Sequence, residues 1–283
     1  MNVVLVILIV AVVCGLYGAS LEKIASPGAL TNFAGKTALE EIKFQAGISN
    51  VAYYTETNPG VISTFAKENG LAFDPATDSF SDVSTNTSFV CLQKSLGGGK
   101  WAVYLGFRGT LISSMENIKE DLDMSLVDFY GTKVSNGFLK SWMGLRQGVV
   151  ALLARYRPTQ LYITGHSLGA SIAAIAAVDL RKSSIQEPVL YTFASPRTGD
   201  AGFVDLFKST VGKSYRVEGL YDPVPRFPTL LQGYAHIPTR ILLQDGKCTV
   251  GGPAPDNHPW DIKYHFLSEY MALLASLPMN SCA

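Results

Sequence analysis

The stretch LYITGHSLGASIAAIAAVDL, residues 161–180, constrains the fold of this chain more than any other. It begins with a short apolar run that favours a β-strand and continues into an alanine-rich run that favours a helix. Ser167 lies between the two runs, flanked by Gly165 and Gly169. Because glycine has no side chain, the strand and the helix can approach closely while the turn holds the serine hydroxyl outwards. We therefore expect a strand, a tight turn and a helix, with Ser167 as a candidate nucleophile.

The start of the predicted helix also provides a place for negative charge. The first backbone N–H groups of a helix have no partner within it, and the positive end of the helix dipole lies there. We therefore expect the backbone N–H of Leu168 to donate a hydrogen bond to an oxyanion formed at Ser167.

Alternating strand and helix patterns indicate the fold class. Five apolar runs favour strands: SFVCLQ, WAVYLGF, LYITG, VLYTFA and SYRVEG. The helical pattern FLKSWMGLRQGVVALLARY precedes the serine turn. Such alternation predicts an α/β fold with a mostly parallel central sheet and helices on both faces, and functional sites in such sheets lie at the carboxyl ends of the strands. Segment 71–88 is polar and rich in turn residues, which predicts a surface excursion.

Composition limits the classes of partner. The chain has 283 residues, of which 47% are apolar, and this is enough to bury one large core. It carries 23 Lys and Arg against 23 Asp and Glu, so its net charge does not indicate a nucleic-acid partner.

The first 20 residues predict a secretory signal peptide. An unbroken apolar run extends from Val3 to Val13, and Gly18, Ala19 and Ser20 follow it. The run is short for a membrane span of about 20 residues. We therefore expect cleavage near Ser20, a secreted single domain over residues 21–283 and no membrane span in the mature chain. A retained anchor is the alternative.

Three cysteines remain after the predicted cleavage, namely Cys91, Cys248 and Cys282, so at most one intramolecular disulfide can form. Cys91 lies in the apolar run SFVCLQ, where an unpaired thiol behaves as a small hydrophobic side chain. We therefore prefer the pair Cys248–Cys282.

A nucleophilic serine needs a base to take its proton and an acid to orient that base. Asp222 directly follows a strand-like run and precedes two prolines, which is where an orienting carboxylate is expected in the chain order Ser, Asp, His. His258 and His265 both follow Asp222, and the residues alone leave the choice between them open. His166 and His236 are interpreted as structural.

Four motifs in order make the chain resemble the lipase class 3 family, which comprises fungal-type triacylglycerol lipases, feruloyl esterases and related plant acyl hydrolases. They are FRGT at 107–110, GHSLGAS at 165–171, YTFASPRTGD at 191–200 and DPVPRFP at 222–228. The resemblance implies an α/β-hydrolase fold with Ser167 as nucleophile, Asp222 as orienting acid, and Thr110 and Leu168 as the oxyanion hole. The family's histidine stands shortly before a tyrosine near the C-terminus, so the resemblance favours His265, followed by Tyr270, as the base.

The segment after FRGT corresponds to the lid of the family. Ile112, Met115 and Ile118 recur at a helical spacing within residues 112–121, so this stretch could present one apolar face to a lipid. A short helix that is only structural is the alternative.

Taken together, these features predict a secreted carboxylic ester hydrolase that works through an acyl-enzyme intermediate and needs no metal or organic cofactor. A triacylglycerol lipase acting at a lipid–water interface is the preferred activity. The alternatives are an esterase for feruloyl or other soluble esters, and a catalytically silent relative that binds lipid.

Overall fold

Ten β-strands form the framework of the part of the chain that the computed structural model describes, residues 37–110, 123–252, 258–279 and 281–282. They are β1 Ser79–Asp82, β2 Thr87–Gly97, β3 Lys100–Phe107, β4 Leu126–Phe129, β5 Thr132–Ser135, β6 Gln160–His166, β7 Pro188–Phe193, β8 Lys213–Gly219, β9 Arg240–Gln244 and β10 Lys247–Val250. Eight of these described strands form one sheet in the order β1-β2-β3-β6-β7-β8-β9-β10, while β4 and β5 form a separate hairpin. Within this sheet β3, β6, β7, β8 and β9 run parallel to one another, and the pairs β1–β2, β2–β3 and β9–β10 are antiparallel.

Helices cover both faces of the sheet. In the described ranges the α-helices are α1 Ala38–Val51, α2 Pro59–Glu68, α3 Asn136–Tyr156, α4 Leu168–Lys182, α5 Ala201–Thr210 and α6 Leu267–Ser276. Helices α3, α4 and α5 share one core with one face of the sheet, whereas α1, α2 and α6 pack on the other face. The predicted α/β-hydrolase fold, with a mostly parallel central sheet between two layers of helices, is confirmed.

Side-chain alternation in β3 shows how the two layers arise. Val103, Leu105 and Phe107 lie in the core beneath α3 and α4, while Ala102 and Tyr104 lie in the core beneath α1 and α2. Successive side chains of a strand point to opposite faces, so a strand that is buried on both sides needs the continuous apolar run seen here.

The five strand-like runs of the sequence all form strands of the sheet, but the description of segment 71–88 as a surface excursion is incomplete. Residues 79–82 form the edge strand β1, paired antiparallel with β2, and β2 itself begins at Thr87. Polar residues fit an edge strand because one face of the strand is open to solvent. Even the apolar Phe80 of β1 is 42% exposed.

Two sequence predictions, the signal peptide at residues 1–20 and the lid at residues 112–121, fall outside the described ranges. Within those ranges the chain has no helix of the length and apolar character that crossing a bilayer requires.

The predicted disulfide is confirmed. Cys248 of β10 is bonded to Cys282, 34 residues later, while Cys91 is an unpaired buried thiol in β2. The bridge fastens the end of the chain to the edge of the sheet and closes a loop that contains α6 and His265.

Replacing both Cys248 and Cys282 with serine should lower the free energy of unfolding by about 2–4 kcal/mol, because opening a loop of this length increases the entropy of the unfolded chain. For a domain of this size, the melting temperature should fall by roughly 5–15 °C. Thermal unfolding followed by circular dichroism checks this, with wild-type protein under strong reductant as the control, which should match the variant. An identical melting temperature with and without the bridge would contradict a stabilising role.

Candidate active site

Ser167 occupies the sharp turn between β6 and α4, as the sequence predicts. Its backbone has φ 58° and ψ −127°, a left-handed conformation that a residue with a side chain rarely adopts. The turn closes only because the flanking glycines are bare. A Cβ on Gly165 would collide with the Gly169 carbonyl oxygen, and one on Gly169 would collide with the Phe107 carbonyl oxygen. The Ser167 N–H donates to Phe193 O over 3.0 Å, which fixes the turn to β7.

His265 and Asp222 meet the serine in one buried chain of hydrogen bonds. His265 Nε2 lies 2.8 Å from Ser167 Oγ, and His265 Nδ1 lies 3.0 Å and 3.1 Å from the two carboxylate oxygens of Asp222. Ser167 is 5% exposed, Asp222 1% and His265 0%. The serine follows β6 and the aspartate follows β8, so both lie at the carboxyl edge of the parallel strands. His265 ends a short 3₁₀ helix, Ile262–His265, just before α6.

The chemistry of these three groups fixes the direction of the hydrogen bonds. An ionised carboxylate only accepts, so His265 donates through Nδ1–H. A neutral imidazole then has an acceptor at Nε2, and Ser167 Oγ–H donates to it. This is the arrangement in which a base can remove the serine proton.

Asp222 is held by two further donors. The Tyr270 hydroxyl donates to Asp222 Oδ2 over 2.7 Å, and the Val224 backbone N–H donates to Oδ1 over 2.9 Å. Burial and, secondly, the Asp222 charge hold the pKa of Tyr270 well above its ordinary value, so the hydroxyl keeps its proton. Tyr270 in turn accepts from the Gly219 N–H at the end of β8 over 2.8 Å. The sequence pattern used Tyr270 only as a marker for His265 and gave no signal that its hydroxyl contacts the acid.

The two predicted oxyanion residues belong to two segments that meet at Ser167. Leu168 is the first residue of α4. A backbone N–H at the start of a helix has no carbonyl partner within the helix. Thr110 follows β3 in a loop that passes beside the serine: an ideal Cβ on Gly109 would lie 3.2 Å from Ser167 Cβ. The segments that carry Leu168 and Thr110 therefore both lie close to Ser167.

Arg108 fixes that loop from within the protein. Its guanidinium is 1% exposed and donates to the backbone and side-chain oxygens of Asn86 over 2.7 Å and 2.9 Å. It also donates to Glu56 Oε2 over 3.0 Å. Charge-assisted hydrogen bonds of this kind are strong and directional, so they hold the backbone that leads to Thr110.

His258 and His236 take no part in this chain of hydrogen bonds. His258 is exposed, and its ring packs edge-on against Tyr221 at 6.3 Å. His236 lies in irregular chain before β9 and is buried beside Glu218. Burial and the neighbouring Arg216 hold the pKa of His236 well below its usual range, so the ring is neutral. Of the two candidates that the sequence left open, the structure brings His265 to the serine and His258 elsewhere.

Three comparisons show which known proteins this chain resembles. Residues 104–232 match the profile of the family described as lipase (class 3), so the resemblance inferred from the motifs is confirmed over this segment. A secreted mono- and diacylglycerol lipase of Fusarium solani is 37% identical over 120 residues, 41% of this chain and 36% of that protein. This chain spans less than half the length of the first curated relatives that it matches.

Solved lipase structures share the fold. The lipase of Rhizopus microsporus var. chinensis superposes with a TM-score of 0.68 at 23% identity, covering 83% of this chain and 88% of that one. A triacylglycerol lipase whose catalytic centre is described as a serine protease triad gives a TM-score of 0.67 at 23% identity, covering 81% and 92%. At this identity the likeness demonstrates the common fold.

Proposed function

We propose that this chain, which matches the class 3 lipases over residues 104–232, is a serine hydrolase of carboxylic esters. The observation that carries the proposal is the buried chain of hydrogen bonds from Ser167 through His265 to Asp222. Its members come from three separate parts of the sequence, and the serine sits in a strained turn. Strain of this kind is retained at sites where a reactive group must be presented.

The reaction proceeds in two halves. In the first, Ser167 Oγ attacks the ester carbonyl while His265 Nε2 takes the serine proton, and Asp222 stabilises the imidazolium that forms. The tetrahedral intermediate collapses when His265 returns the proton to the departing alcohol, which leaves an acyl group on Ser167. In the second half, His265 takes a proton from water as the water oxygen attacks the acyl carbon. His265 then returns that proton to Ser167 Oγ, and the carboxylic acid leaves with the serine and the base restored.

Leu168 and Thr110 have the part of oxyanion donors in this proposal. The negative charge that develops on the carbonyl oxygen is met by the Leu168 N–H and by donors of Thr110, in a place shielded from water. A single donor of this kind contributes roughly 10²- to 10³-fold to kcat.

We further propose that the esters are acylglycerols presented at a lipid–water interface. The relatives are named as acylglycerol lipases. Exposed apolar side chains also lie in the connections that carry the triad: Leu230 and Leu231 are 53% and 66% exposed after Asp222, and Trp260 and Ile262 are 36% and 48% exposed before His265. Apolar groups placed around a site in this way favour attachment to a lipid surface. The predicted lid, residues 112–121, would add to this surface.

Secretion is part of the same proposal. It is supported by the apolar N-terminal run, by the disulfide and by the names of the relatives, which include secreted lipases. N-terminal sequencing of the secreted protein should find a first residue near Leu21; a mature chain that starts at Met1 would contradict cleavage.

Rates on three substrates test the proposed function: a soluble short-chain ester, an emulsified long-chain acylglycerol and a feruloyl ester. We expect hydrolysis of the short-chain ester and a steep rise in rate when acylglycerol exceeds its solubility. A dominant rate on the feruloyl ester would favour the soluble-ester alternative. A folded protein with no rate on any of the three would favour the silent lipid-binding relative.

The apolar surface has its own control within this experiment. Replacing Leu230 and Leu231 with serine should lower the rate on emulsion several-fold and leave the rate on soluble ester unchanged, because only attachment loses apolar area. Leu96 is a matched control because it is also exposed. It lies near the end of β2, beside the start of β3, and therefore at the amino ends of the parallel strands, away from the triad. Leu96→Ser should therefore behave as wild type on both substrates.

A further inference from the structure

His166, the residue before the serine, has both ring nitrogens occupied. Its Nδ1 lies 2.7 Å from the Tyr53 hydroxyl oxygen, and its Nε2 lies 2.7 Å from the backbone carbonyl oxygen of His265. The His166 residue is only 4% exposed, and its ring lies 4.8 Å from the ring of His265 between centroids. The mechanism above uses neither His166 nor Tyr53.

The partners of His166 determine where its proton lies. A carbonyl oxygen only accepts, so His166 must donate through Nε2–H to His265 O. Burial, and secondly the charge of His265, holds the pKa of His166 well below its usual range, so the ring is neutral and Nδ1 carries no proton. Tyr53 O–H must therefore donate to Nδ1. Burial likewise raises the pKa of Tyr53, which keeps that proton in place.

Tyr53 brings a third segment into contact with this pair. It lies in a one-turn 3₁₀ helix, Ala52–Tyr54, directly after α1. The Tyr53 oxygen packs against the backbone of Gly109, next to Thr110, because a Cβ on Gly109 would collide with it. The hydrogen bonds run in one direction, from Tyr53 O–H to His166 Nδ1 and then from His166 Nε2–H to His265 O.

We propose that Tyr53 and His166 are positioning residues that set the base, the serine turn and the oxyanion loop in register with one another. The inference rests on the proposed function, because it concerns how the proposed catalytic groups are held. Each bond has only one possible direction, so the three segments cannot exchange donors and acceptors without leaving a buried polar group unpaired. His265 is thereby held at its backbone as well as through its ring.

The proposal predicts an effect on turnover and not on binding of substrate. A shift of His265 lengthens the 2.8 Å contact between its Nε2 and Ser167 Oγ, which only the chemical step requires. Misplacement by about 1 Å costs on the order of 10²-fold in rate. Tyr53→Phe and His166→Leu should each lower kcat on a soluble short-chain ester by roughly 10- to 100-fold, with KM changed by less than about two-fold.

Two variants and a coupling measurement separate positioning from a general loss of structure. Glutamine keeps one donor and one acceptor on its side chain, so His166→Gln should recover most of the kcat that His166→Leu loses. Tyr54→Phe is the matched control for Tyr53→Phe. It removes the same hydroxyl group from the neighbouring residue, Tyr54, which is 37% exposed. The double variant Tyr53→Phe with His166→Leu should be no slower than the slower single variant, since both break one connected unit.

An NMR measurement tests the protonation of His166 without relying on enzyme activity. Proton–nitrogen NMR of histidine-labelled protein should show His166 as the Nε2–H tautomer, unchanged from pH 5 to pH 9. A titrating His166, or an unchanged kcat for Tyr53→Phe in an active enzyme, would overturn the positioning inference alone. A well-folded wild-type protein that hydrolyses no ester would instead overturn the proposed function, together with the kinetic part of this inference.

Discussion

Ser167→Ala is expected to abolish ester hydrolysis, with kcat falling by roughly 10⁴-fold or more. The variant keeps the turn but loses the only atom that can form the acyl-enzyme. Ser167 Oγ donates to His265 Nε2, and the serine proton moves along this hydrogen bond when the oxygen attacks the ester. Steady-state rates on a soluble short-chain ester, followed to long reaction times, measure the effect.

Folding of the Ser167→Ala variant should be preserved. Serine and alanine both carry a Cβ, so the substitution adds no steric strain at this positive φ, and the Ser167 N–H bond to Phe193 O does not depend on the side chain. Ser171 provides the matched control: it is a second buried serine of the same motif, and its hydroxyl accepts from Thr198 and not from the triad. Ser171→Ala should keep most of the activity. Normal turnover by a folded Ser167→Ala protein would disprove the proposed mechanism.

His265→Ala is expected to be nearly as damaging as the loss of the serine, because members of a triad act as a unit. Without the imidazole, Ser167 has no acceptor for its proton, and Asp222 retains only the donors from Tyr270 and Val224. The kcat on a soluble ester should fall by roughly 10⁴-fold, while KM changes little.

His258→Ala is the control for the base. His258 precedes His265 by only seven residues, but it is exposed and packs against Tyr221. Its removal should leave most of the activity. If His258→Ala were the inactive variant and His265→Ala the active one, the base would have to be reassigned and the loop that bears both histidines would have to move during the reaction.

Local sequence was sufficient for the core of the fold. The apolar runs that became β2, β3, β6, β7 and β8 are all buried strands, and a strand buried on both faces leaves a continuous apolar signature. Elements with weaker local signals were not anticipated. The edge strand β1 and the hairpin of β4 and β5 are short and partly exposed, so solvent relaxes the demand for apolar residues there.

The residues of the candidate site also differ in how strongly the local sequence indicated them. Ser167 and Asp222 were recognisable because each has a local cause: two glycines around a strand-to-helix turn, and a carboxylate directly after a strand. The carboxyl ends of parallel strands meet at one edge, so their proximity followed from the fold class. The choice between His258 and His265 had no local cause, and only a family resemblance favoured His265.

Only the tertiary structure decided which histidine reaches the serine and what holds it there. Ser167 and His265 are 98 residues apart, and Tyr53 and His166 are 113 residues apart. Hydrogen-bond chemistry limits each of these groups to a few kinds of partner, but a partner's identity depends on which atoms the packed layers bring within about 3 Å. The sequence by itself therefore predicted the candidate nucleophile, its candidate acid and the layered fold. Packing of α1 and α6 on the sheet decided which histidine lies beside the serine, the Tyr270 contact to Asp222 and the chain of bonds through Tyr53 and His166, because those distances arise only when distant segments bury their apolar faces together.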